Sequence, residues 1–537
     1  MEERMPQTGA DLIVDALTGA GVSHIFSLSG NQILPVYNTL IGRDIRLIHT
    51  RHEAAAVHMA DAWGRLTEQP GIALVPAGPG HGNTIGALYV AQMAESPVVL
   101  LSGHCPVVQV GHGAFQETDQ VATAAPVTKA SWQVAHPDQI ASDITAAMAI
   151  ATTGRPGPVH LSLPFDMLEA DIAGMRQEPG HHVPAVAPDM PDTVMNLLLG
   201  HLQEAKRPII LAGPAMSRPT RFQALTELAG QIHMPVLIME SPRGLNDPFL
   251  RYAPACLAEA DLVLLVGKKL DFSLKFGQPP FFNVSCDIIK IDAEPETVYK
   301  GQRAVIHIHA DPVASIQHLI KAARSRSWPM STWPDEVTTA CRKSPESWVN
   351  IRHASRQPIH PLLVCDALQP HLNAGGILIS DGGEFGQWAQ AALETPIRLI
   401  NGPAGAIGGA IPAALSAKLA HPDHPVFVTT GDGAFGYHTM EMDTALRYDI
   451  PIIVIVGNDA RWNAEYQLQR ALYGADRIYE SELRPIRYDH VVAALGGYGE
   501  CVEHPEDLSP ALQRAVESGR PACINVSIEG AAAPVFN

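Results

Sequence analysis

Length, composition and charge limit the classes of protein to which this chain can belong. Its 537 residues are enough for roughly two to four domains, each large enough to bury its own core. Hydrophobic residues make up 46% and charged residues 17%, which is typical of a compact enzyme and argues against disorder. With 37 Lys and Arg against 55 Asp and Glu, the net charge of −18 disfavours nucleic acid and anionic membrane surfaces as partners.

The cysteines and the N-terminal residues indicate a compartment. The seven cysteines form no CxxC pair or other tight cluster, so we interpret them as reduced, mostly buried thiols. The first residues lack the hydrophobic core of a secretion signal, and no apolar run approaches the ~18 residues that a membrane span needs. We therefore expect a cytoplasmic protein.

Two proline-rich polar stretches, 174–193 and roughly 323–361, divide the chain. They predict three domains, at residues 1–175, 192–325 and 358–537. In each, short apolar strands alternate with helical segments, which predicts three α/β domains built on doubly wound parallel sheets.

The first and third of these domains share an internal sequence repeat. In the first, apolar strands 72–75 and 97–103 are separated by a glycine turn and a helical segment. In the third, strands 426–430 and 451–457 repeat this order with nearly the same spacing. We expect the two domains to be structurally related.

Glu53 opens an alanine-rich segment of the first domain that reads as a helix, 53–63. Its carboxyl is predicted to lie among apolar neighbours at a helix start, where desolvation favours the protonated acid. The alternative is a glutamate of the first turn, stabilised there by the helix dipole. The local residues leave both interpretations open.

Four further side chains of the first domain are candidates for contact with a substrate. Asn31 and Gln32 follow a glycine turn, His81 lies in the Gly-Pro-Gly turn region 78–83, and Gln116 follows Phe115. Neutral amides could hydrogen-bond a carbonyl oxygen without adding charge. The alternative for each is that it only satisfies nearby backbone groups.

The third domain carries the most specific motif. Strand 426–430 ends in a Gly-Asp-Gly turn that holds Asp432, and the following strand ends near Asn458. Because the carboxyl ends of parallel strands meet at one edge of a sheet, we expect the two side chains to lie together. Their oxygens suit Mg²⁺, which fills its remaining sites with water and phosphate oxygens. The free amides of a helix predicted at 434–447 would face such a phosphate. The alternative is a pair of turn-forming residues.

Together these motifs resemble the thiamine diphosphate (ThDP) enzymes, whose signature is Gly-Asp-Gly followed one strand later by Asn. The resemblance covers nearly the whole chain. Segment 51–56 is similar to that family's essential-glutamate segment, and 78–83 is similar to its Gly-Pro-Gly turn. Segment 114–117 is similar to acetolactate synthases, 436–444 to benzaldehyde lyase, and 269–280 to 2-hydroxyacyl-CoA lyases.

The resemblance implies roles for individual residues. Glu53 would protonate N1′ of the cofactor, Asp432 and Asn458 would bind Mg²⁺ through their side chains, and the Ala460 carbonyl would be a third ligand. Ile407, in a glycine-rich stretch similar to the family's, would support the bent conformation of the cofactor. The other expected cofactor contacts are Gly78, Asn83, Gly383, Glu384, Gly405, Gly431, Gly433, Ala434, Phe435 and Asn463.

The resemblance also implies an activity. The first choice is acetolactate synthase-like: a ThDP- and Mg²⁺-dependent carboligase and decarboxylase acting on small 2-keto acids or aldehydes. The alternatives are a lyase of the benzaldehyde lyase or 2-hydroxyacyl-CoA lyase type, and a non-catalytic ThDP-binding paralogue. Gln467 stands where acetolactate synthases carry a tryptophan. Lys268 and Lys269 stand where they carry a flavin-contacting arginine, which makes FAD doubtful.

Self-association is the remaining expectation. In the resembled family the first domain binds the pyrimidine and the third binds the diphosphate of one cofactor, and the two come from different subunits. A homodimer is therefore the minimum assembly, and a homotetramer is expected.

Overall fold

The computed structural model describes residues 7–173, 175, 182–295, 299–354 and 357–536. It contains three parallel sheets wrapped by helices, as predicted. The chain forms two compact units. The first comprises 1–185, 411–421 and 438–450, and the second comprises 186–410, 422–437 and 451–537.

The first sheet has six strands in the order β2-β1-β3-β4-β6-β5. Its central strands are continuous apolar runs because parallel strands are covered on both faces. The strands are β1 His24–Ser27, β2 Arg46–His49, β3 Gly71–Val75, β4 Val98–His104, β5 Ala130–Gln133 and β6 Val159–Pro164. The helices are α1 Gly9–Gly19, α2 Leu34–Thr39, α3 Glu53–Thr67, α4 Pro79–Gly82, α5 Ile85–Met93, α6 Gln120–Ala124, α7 Ile140–Thr152 and α8 Phe165–Glu169.

The second sheet has five strands in the order β11-β10-β9-β7-β8. The strands are β7 Pro208–Ala212, β8 Val236–Ile238, β9 Leu262–Val266, β10 Asp287–Asp292 and β11 Ile306–His309. The helices from here to the third sheet are α9 Asp192–Glu204, α10 Pro219–Ile232, α11 Ala253–Leu257, α12 Pro312–Ala323, α13 Trp333–Arg342 and α14 Ser347–His353.

The third sheet has six strands in the order β13-β12-β14-β15-β17-β16. The strands are β12 Ile377–Ser380, β13 Arg398–Ile400, β14 Val426–Gly431, β15 Ile453–Asn458, β16 Tyr498–Val502 and β17 Ala522–Ser527. The helices are α15 Pro361–Asn373, α16 Gly383–Ala392, α17 Ala410–Ala420, α18 Asp432–His438, α19 Glu441–Arg447, α20 Asn463–Tyr473, α21 Tyr488–Ala494 and α22 Leu508–Glu517.

The first and third sheets have the same topology. Taken in chain order, each strand of the first occupies the same place as its counterpart in the third. In the predicted repeat, segment 72–75 is β3 and segment 426–430 lies in β14, and these two strands occupy equivalent places in their sheets. The second pair of repeated strands is β4 and β15. The predicted structural relation between the two domains is confirmed.

Two local predictions differ from the structure. The single helix expected at 434–447 is two helices, α18 and α19, and the first begins at Asp432 itself. The polar stretch 323–361 carries α13 and α14, because Trp333 and Trp348 are buried and give those segments apolar anchors. Trp333 also donates its Nε1–H to the Pro208 carbonyl at 3.0 Å.

The other predicted boundary stretch, 174–193, lies partly outside the described residues, and the domain bounds stay predictions. Within the described part of the chain, none of the helices has the length and apolar character that a membrane span requires.

Candidate active site

Glu53 is the first residue of α3 and is only 8% exposed. The helix starts there because His52 is extended and its side chain accepts the Ala54 N–H, which caps the first turn. Asn83 donates its Nδ2–H to Glu53 Oε2 at 2.9 Å. The buried position at a helix start is the one predicted, and Asn83, predicted as a cofactor contact, binds this carboxyl.

The turn after β3 requires glycine. Gly78 has a φ of +57°, and a Cβ on it would lie 2.8 Å from the Gln116 carbonyl oxygen. Its N–H donates to Oε1 of Gln120, a buried residue that sequence reasoning missed. The turn is thus held close to the loop that carries Gln116.

His81 does not face an open site, contrary to the prediction that it contacts substrate. Its side chain is 1% exposed, its Nδ1 lies 2.9 Å from Ser102 Oγ, and its ring centroid lies 4.6 Å from that of His160. Burial lowers the pKa of His81 to about 4, so the ring is neutral at physiological pH. It packs beneath the turn because Pro79 starts a helical turn that directs this position inward.

Gln32 and Gln116, predicted separately, form a pair. Gln32 Nε2 donates to Gln116 Oε1 at 2.9 Å. Gln32 is buried, and its Oε1 has no hydrogen-bond partner among the described residues, so an acceptor is left over there. Asn31, one residue earlier, is exposed.

Asp432 directly follows β14 and Asn458 is the last residue of the neighbouring strand β15, and Gly431 is in register with Gly457. Asp432 is 2% exposed, and its Oδ2 is buried without a hydrogen-bond partner in the described structure. Asn458 uses its Nδ2 to donate to the Ile486 carbonyl at 2.8 Å and to Asn525 Oδ1 at 3.1 Å. These bonds fix the amide, so its oxygen is the atom left to act as a ligand.

Ala460, the third predicted metal ligand, has a φ of +54° that turns the chain sharply after β15. Its N–H donates to Asn458 Oδ1 at 3.2 Å. Its carbonyl oxygen accepts the Leu483 N–H at 2.6 Å and keeps one lone pair.

A second carboxyl near Asp432 was missed by sequence reasoning. Burial raises the pKa of Asp432 to about 6. Burial and then the charge of Asp432 raise the pKa of the neighbouring Asp459 to about 7. A divalent cation bound nearby would favour the ionised form of both carboxyls. With the unpartnered Asp432 Oδ2 and the fixed Asn458 oxygen, this donor set fits Mg²⁺.

A cavity of about 320 Å³ lies beside these residues. It sits at the carboxyl ends of β12, β14 and β15, where the strand order of the third sheet reverses, the usual place for a ligand in such sheets. Eight of the predicted cofactor contacts line it: Gly383, Glu384, Gly405, Ile407, Gly431, Gly433, Ala434 and Asn463. Phe435 does not; it is fully buried against Tyr488, with ring centroids 5.1 Å apart.

The cavity wall leaves little room for side chains. A Cβ on Gly433 would lie 2.6 Å from the Trp462 ring, and one on Gly382 would lie 2.8 Å from Asn401 Nδ2. Asp381 joins two glycine turns, because its Oδ1 accepts the N–H groups of Gly382 at 2.8 Å and Gly408 at 2.9 Å. The first residues of α16, Gly383 and Glu384, line the cavity, so the N-terminus of that helix makes the cavity suited to an anionic phosphate group.

Charged residues that sequence reasoning missed complete the cavity. Arg243 and Arg461 both line it. The Glu384 carboxyl is directed away from the amides of the first turn of α16. Its Oε2 accepts the Ala533 N–H at 2.7 Å and lies 3.7 Å from Arg243. Arg461 directly follows Ala460 in sequence, whereas Arg243 comes from the predicted central domain, and nothing in its local sequence marks it as a site residue.

A glycine-lined cavity with a buried, unpartnered carboxylate at the edge of a parallel sheet defines a cofactor-dependent α/β enzyme. Family comparison gives the cofactor. The chain matches the thiamine pyrophosphate enzyme N-terminal TPP binding domain over residues 7–123, the central domain over 195–319 and the C-terminal TPP binding domain over 381–526.

Relatives cover nearly the full length. The chain is 33% identical over 526 residues to the probable acetolactate synthase of Mycobacterium bovis, covering 96% of this chain and 94% of that protein. It is 29% identical over 560 residues to the probable acetolactate synthase large subunit of Methanocaldococcus jannaschii, covering 98% and 92%. It is 30% identical over 578 residues to 2-hydroxyacyl-CoA lyase 2 of Bos taurus, covering 97% and 90%.

The chain therefore belongs to the thiamine diphosphate-dependent enzymes that form or cleave carbon–carbon bonds. The predicted family, the fold class and thiamine diphosphate as the cofactor are confirmed.

Proposed function

We propose that this enzyme uses ThDP with Mg²⁺ to decarboxylate a small 2-keto acid and join the remaining unit to a second carbonyl compound, as acetolactate synthases do. The observation that carries the metal assignment is the buried Asp432 Oδ2 without a partner, next to an asparagine whose amide is fixed by two hydrogen bonds. Asp432, Asn458 and the Ala460 carbonyl would hold Mg²⁺. The amides at the start of α16 and the Gly433 turn would hold the diphosphate.

ThDP supplies a thiazolium carbon that adds to a carbonyl group and stabilises negative charge there. The task of this chain is to hold a proton at N1′ of the pyrimidine, which we assign to Glu53. Burial at the start of α3 and the hydrogen bond from Asn83 fix the direction of that carboxyl. Ile407, whose loop Asp381 holds through Gly408, would pack against the cofactor and set its bend.

We assign substrate recognition to Gln32 and Gln116. Their hydrogen bond aligns two neutral amides, and the buried Gln32 Oε1 offers an acceptor without adding charge. Asn31 would contribute from the exposed side of the same turn. His81 has no direct part in this assignment because it is buried beneath the turn.

A lyase of the 2-hydroxyacyl-CoA or acyloin type is the second candidate. A relative named 2-hydroxyacyl-CoA lyase 2 aligns over nearly the whole chain, and Gln467 replaces the tryptophan expected of an acetolactate synthase. Gln467 Nε2 donates to the Gly530 carbonyl at 2.9 Å and to Asn463 Oδ1 at 3.1 Å. Gln467 therefore holds Asn463, which lines the cavity, through a hydrogen bond that a tryptophan could not make in the same way.

We propose a homodimer as the minimum assembly and a homotetramer as the working form. Each compact unit exposes large apolar side chains, Val108 and Phe115 on the first and Leu472 and Tyr479 on the second, as expected of surfaces that become buried on association. We also propose a cytoplasmic location, because all seven cysteines are free thiols.

Calorimetry with saturating Mg²⁺ tests the cofactor assignment. We expect ThDP to bind the wild type, and Asp432→Ala to lose most of that binding. Equal affinity in the two proteins would contradict the metal site. Mass spectrometry of reactions with pyruvate, glyoxylate, benzoin-type ketones and 2-hydroxyacyl-CoAs then tests the reaction. Carbon dioxide release with a ligated product supports the first candidate, and cleavage of a 2-hydroxyacyl-CoA or an acyloin supports the second.

A further inference from the structure

A buried carboxylate outside the proposed site lies next to the loop that leads into Glu53. Glu441, at the start of α19, is 1% exposed, and its Oε1 accepts the Arg51 N–H at 2.9 Å. The His52 N–H also faces this carboxylate, and Thr444 Oγ1 donates to it at 2.7 Å. The two backbone groups that Glu441 binds belong to the two residues immediately before Glu53.

The rest of the loop is held by the same short segment, 438–450. Arg447 donates to the His49 carbonyl at 2.6 Å, and the His49 N–H donates to the Tyr448 hydroxyl at 2.8 Å. Asp443 Oδ2 lies 2.9 Å from the Arg51 guanidinium. His49, at the end of β2, and residues 51 and 52, which lead into α3, are therefore held by residues almost 400 positions away in sequence.

A buried carboxylate at position 441 costs free energy, which its hydrogen bonds to the loop must offset. Burying a carboxylate carries a desolvation penalty, and burial raises the pKa of Glu441 despite its hydrogen bonds. An apolar side chain would fill the same space at less cost but would leave the Arg51 and His52 amides without acceptors. Glu441 therefore fixes the backbone of this loop, which an apolar side chain of the same size could not do.

We propose that Glu441 is a positioning residue for Glu53: by binding the amides of Arg51 and His52 it sets where α3 begins and where the Glu53 carboxyl lies. This inference rests on the proposed role of Glu53 as the acid at the pyrimidine. Asn83 binds the Glu53 carboxyl itself, so the loop and the side chain are held by different residues.

The test compares Glu441→Ala with Glu441→Gln, which keeps one acceptor oxygen, and with Asp443→Asn, which weakens the ion pairs of the Arg51 and Arg447 side chains but leaves the acceptor of the Arg51 and His52 amides in place. In the protein without cofactor, mass spectrometry measures amide hydrogen exchange at residues 49–56. We expect Glu441→Ala to accelerate exchange there by about tenfold or more, and Asp443→Asn by less than about threefold.

The second readout is the rate of deuterium exchange at C2 of bound ThDP, measured by NMR, alongside cofactor affinity by calorimetry. A displaced acid should slow C2 exchange by about tenfold to a hundredfold in Glu441→Ala while affinity changes by less than about threefold. The C2 exchange rate of Glu441→Gln should lie between those of Glu441→Ala and the wild type. If Glu441→Ala does not fold, Glu441→Gln is the variant that tests the inference.

Two results would overturn the inference: unchanged amide exchange at 49–56, or wild-type C2 exchange in a variant whose loop is loosened. If instead the wild type takes up no ThDP, the proposed function fails, and amide exchange alone still decides whether Glu441 holds the loop.

Discussion

Asp432, at the cavity, should make the stability of the metal-free protein depend on pH. Burial raises the pKa of Asp432 from 3.8 to about 6, so the folded protein without metal binds that proton more tightly than the unfolded chain does. For a carboxyl with a raised folded-state pKa, this contribution to stability is present below pH 3.8 and is lost as pH rises from there through about 6. Above pH 6 the metal-free protein therefore bears the cost of a buried charge.

The Asp432→Asn variant removes that cost. The shift from 3.8 to about 6 corresponds to about 3 kcal/mol when complete, of which about 2–3 kcal/mol develops between pH 4 and pH 7. The unpaired amide hydrogens of the new Asn subtract about 1–3 kcal/mol, but this term does not depend on pH. We expect the stability of the variant relative to wild type to rise by about 2–3 kcal/mol from pH 4 to pH 7, because wild type loses stability over that range.

Urea unfolding of the metal-free proteins at several pH values measures this difference. Asp423→Asn, an exposed residue of the same compact unit, serves as the control and should change stability by less than about 0.5 kcal/mol at every pH. A difference between Asp432→Asn and wild type that is independent of pH would refute the reasoning. Added Mg²⁺ and ThDP should stabilise the wild type and not the variant.

Three further predictions concern the site. Glu53→Gln should abolish turnover, by about a thousandfold or more, while calorimetry finds ThDP affinity largely intact, and unchanged activity would exclude its assigned role. Gly433→Ala should weaken cofactor binding at least about tenfold because its Cβ would meet Trp462 at 2.6 Å, whereas the control Gly436→Ala, which has open space, should bind normally; equal affinities would contradict the close packing. His81→Asn should keep kcat within about tenfold and leave the activity profile between pH 5 and 8 unshifted, since burial keeps the pKa of His81 at about 4; a shifted profile would restore a catalytic role.

Local patterns were sufficient where the chemistry of a segment is set by its own residues. Strand β14 ends at Gly431, directly before Asp432, and β15 ends at Asn458, so the placement of both side chains at one sheet edge could be predicted from strand alternation alone. Glu53 was likewise found from an alanine-rich helix start. Where a segment depends on a distant partner, the predictions were wrong or absent. The predicted helix at 434–447 divides in two, and His81 turns into the core against Ser102 and His160.

The sequence by itself determined the alternation of strands and helices within the three domains, the kinship of the outer two sheets, the glycine turns and the placement of Asp432 and Asn458 at strand ends, because backbone preferences and apolar periodicity are local properties. Only the tertiary structure decided which side chains meet. It brought Glu441 to the Arg51 amide, Arg243 to Glu384, and Asp459 beside Asp432. Those contacts join residues that are distant in sequence or depend on the direction of a side chain after a turn, and neither property can be read from local composition.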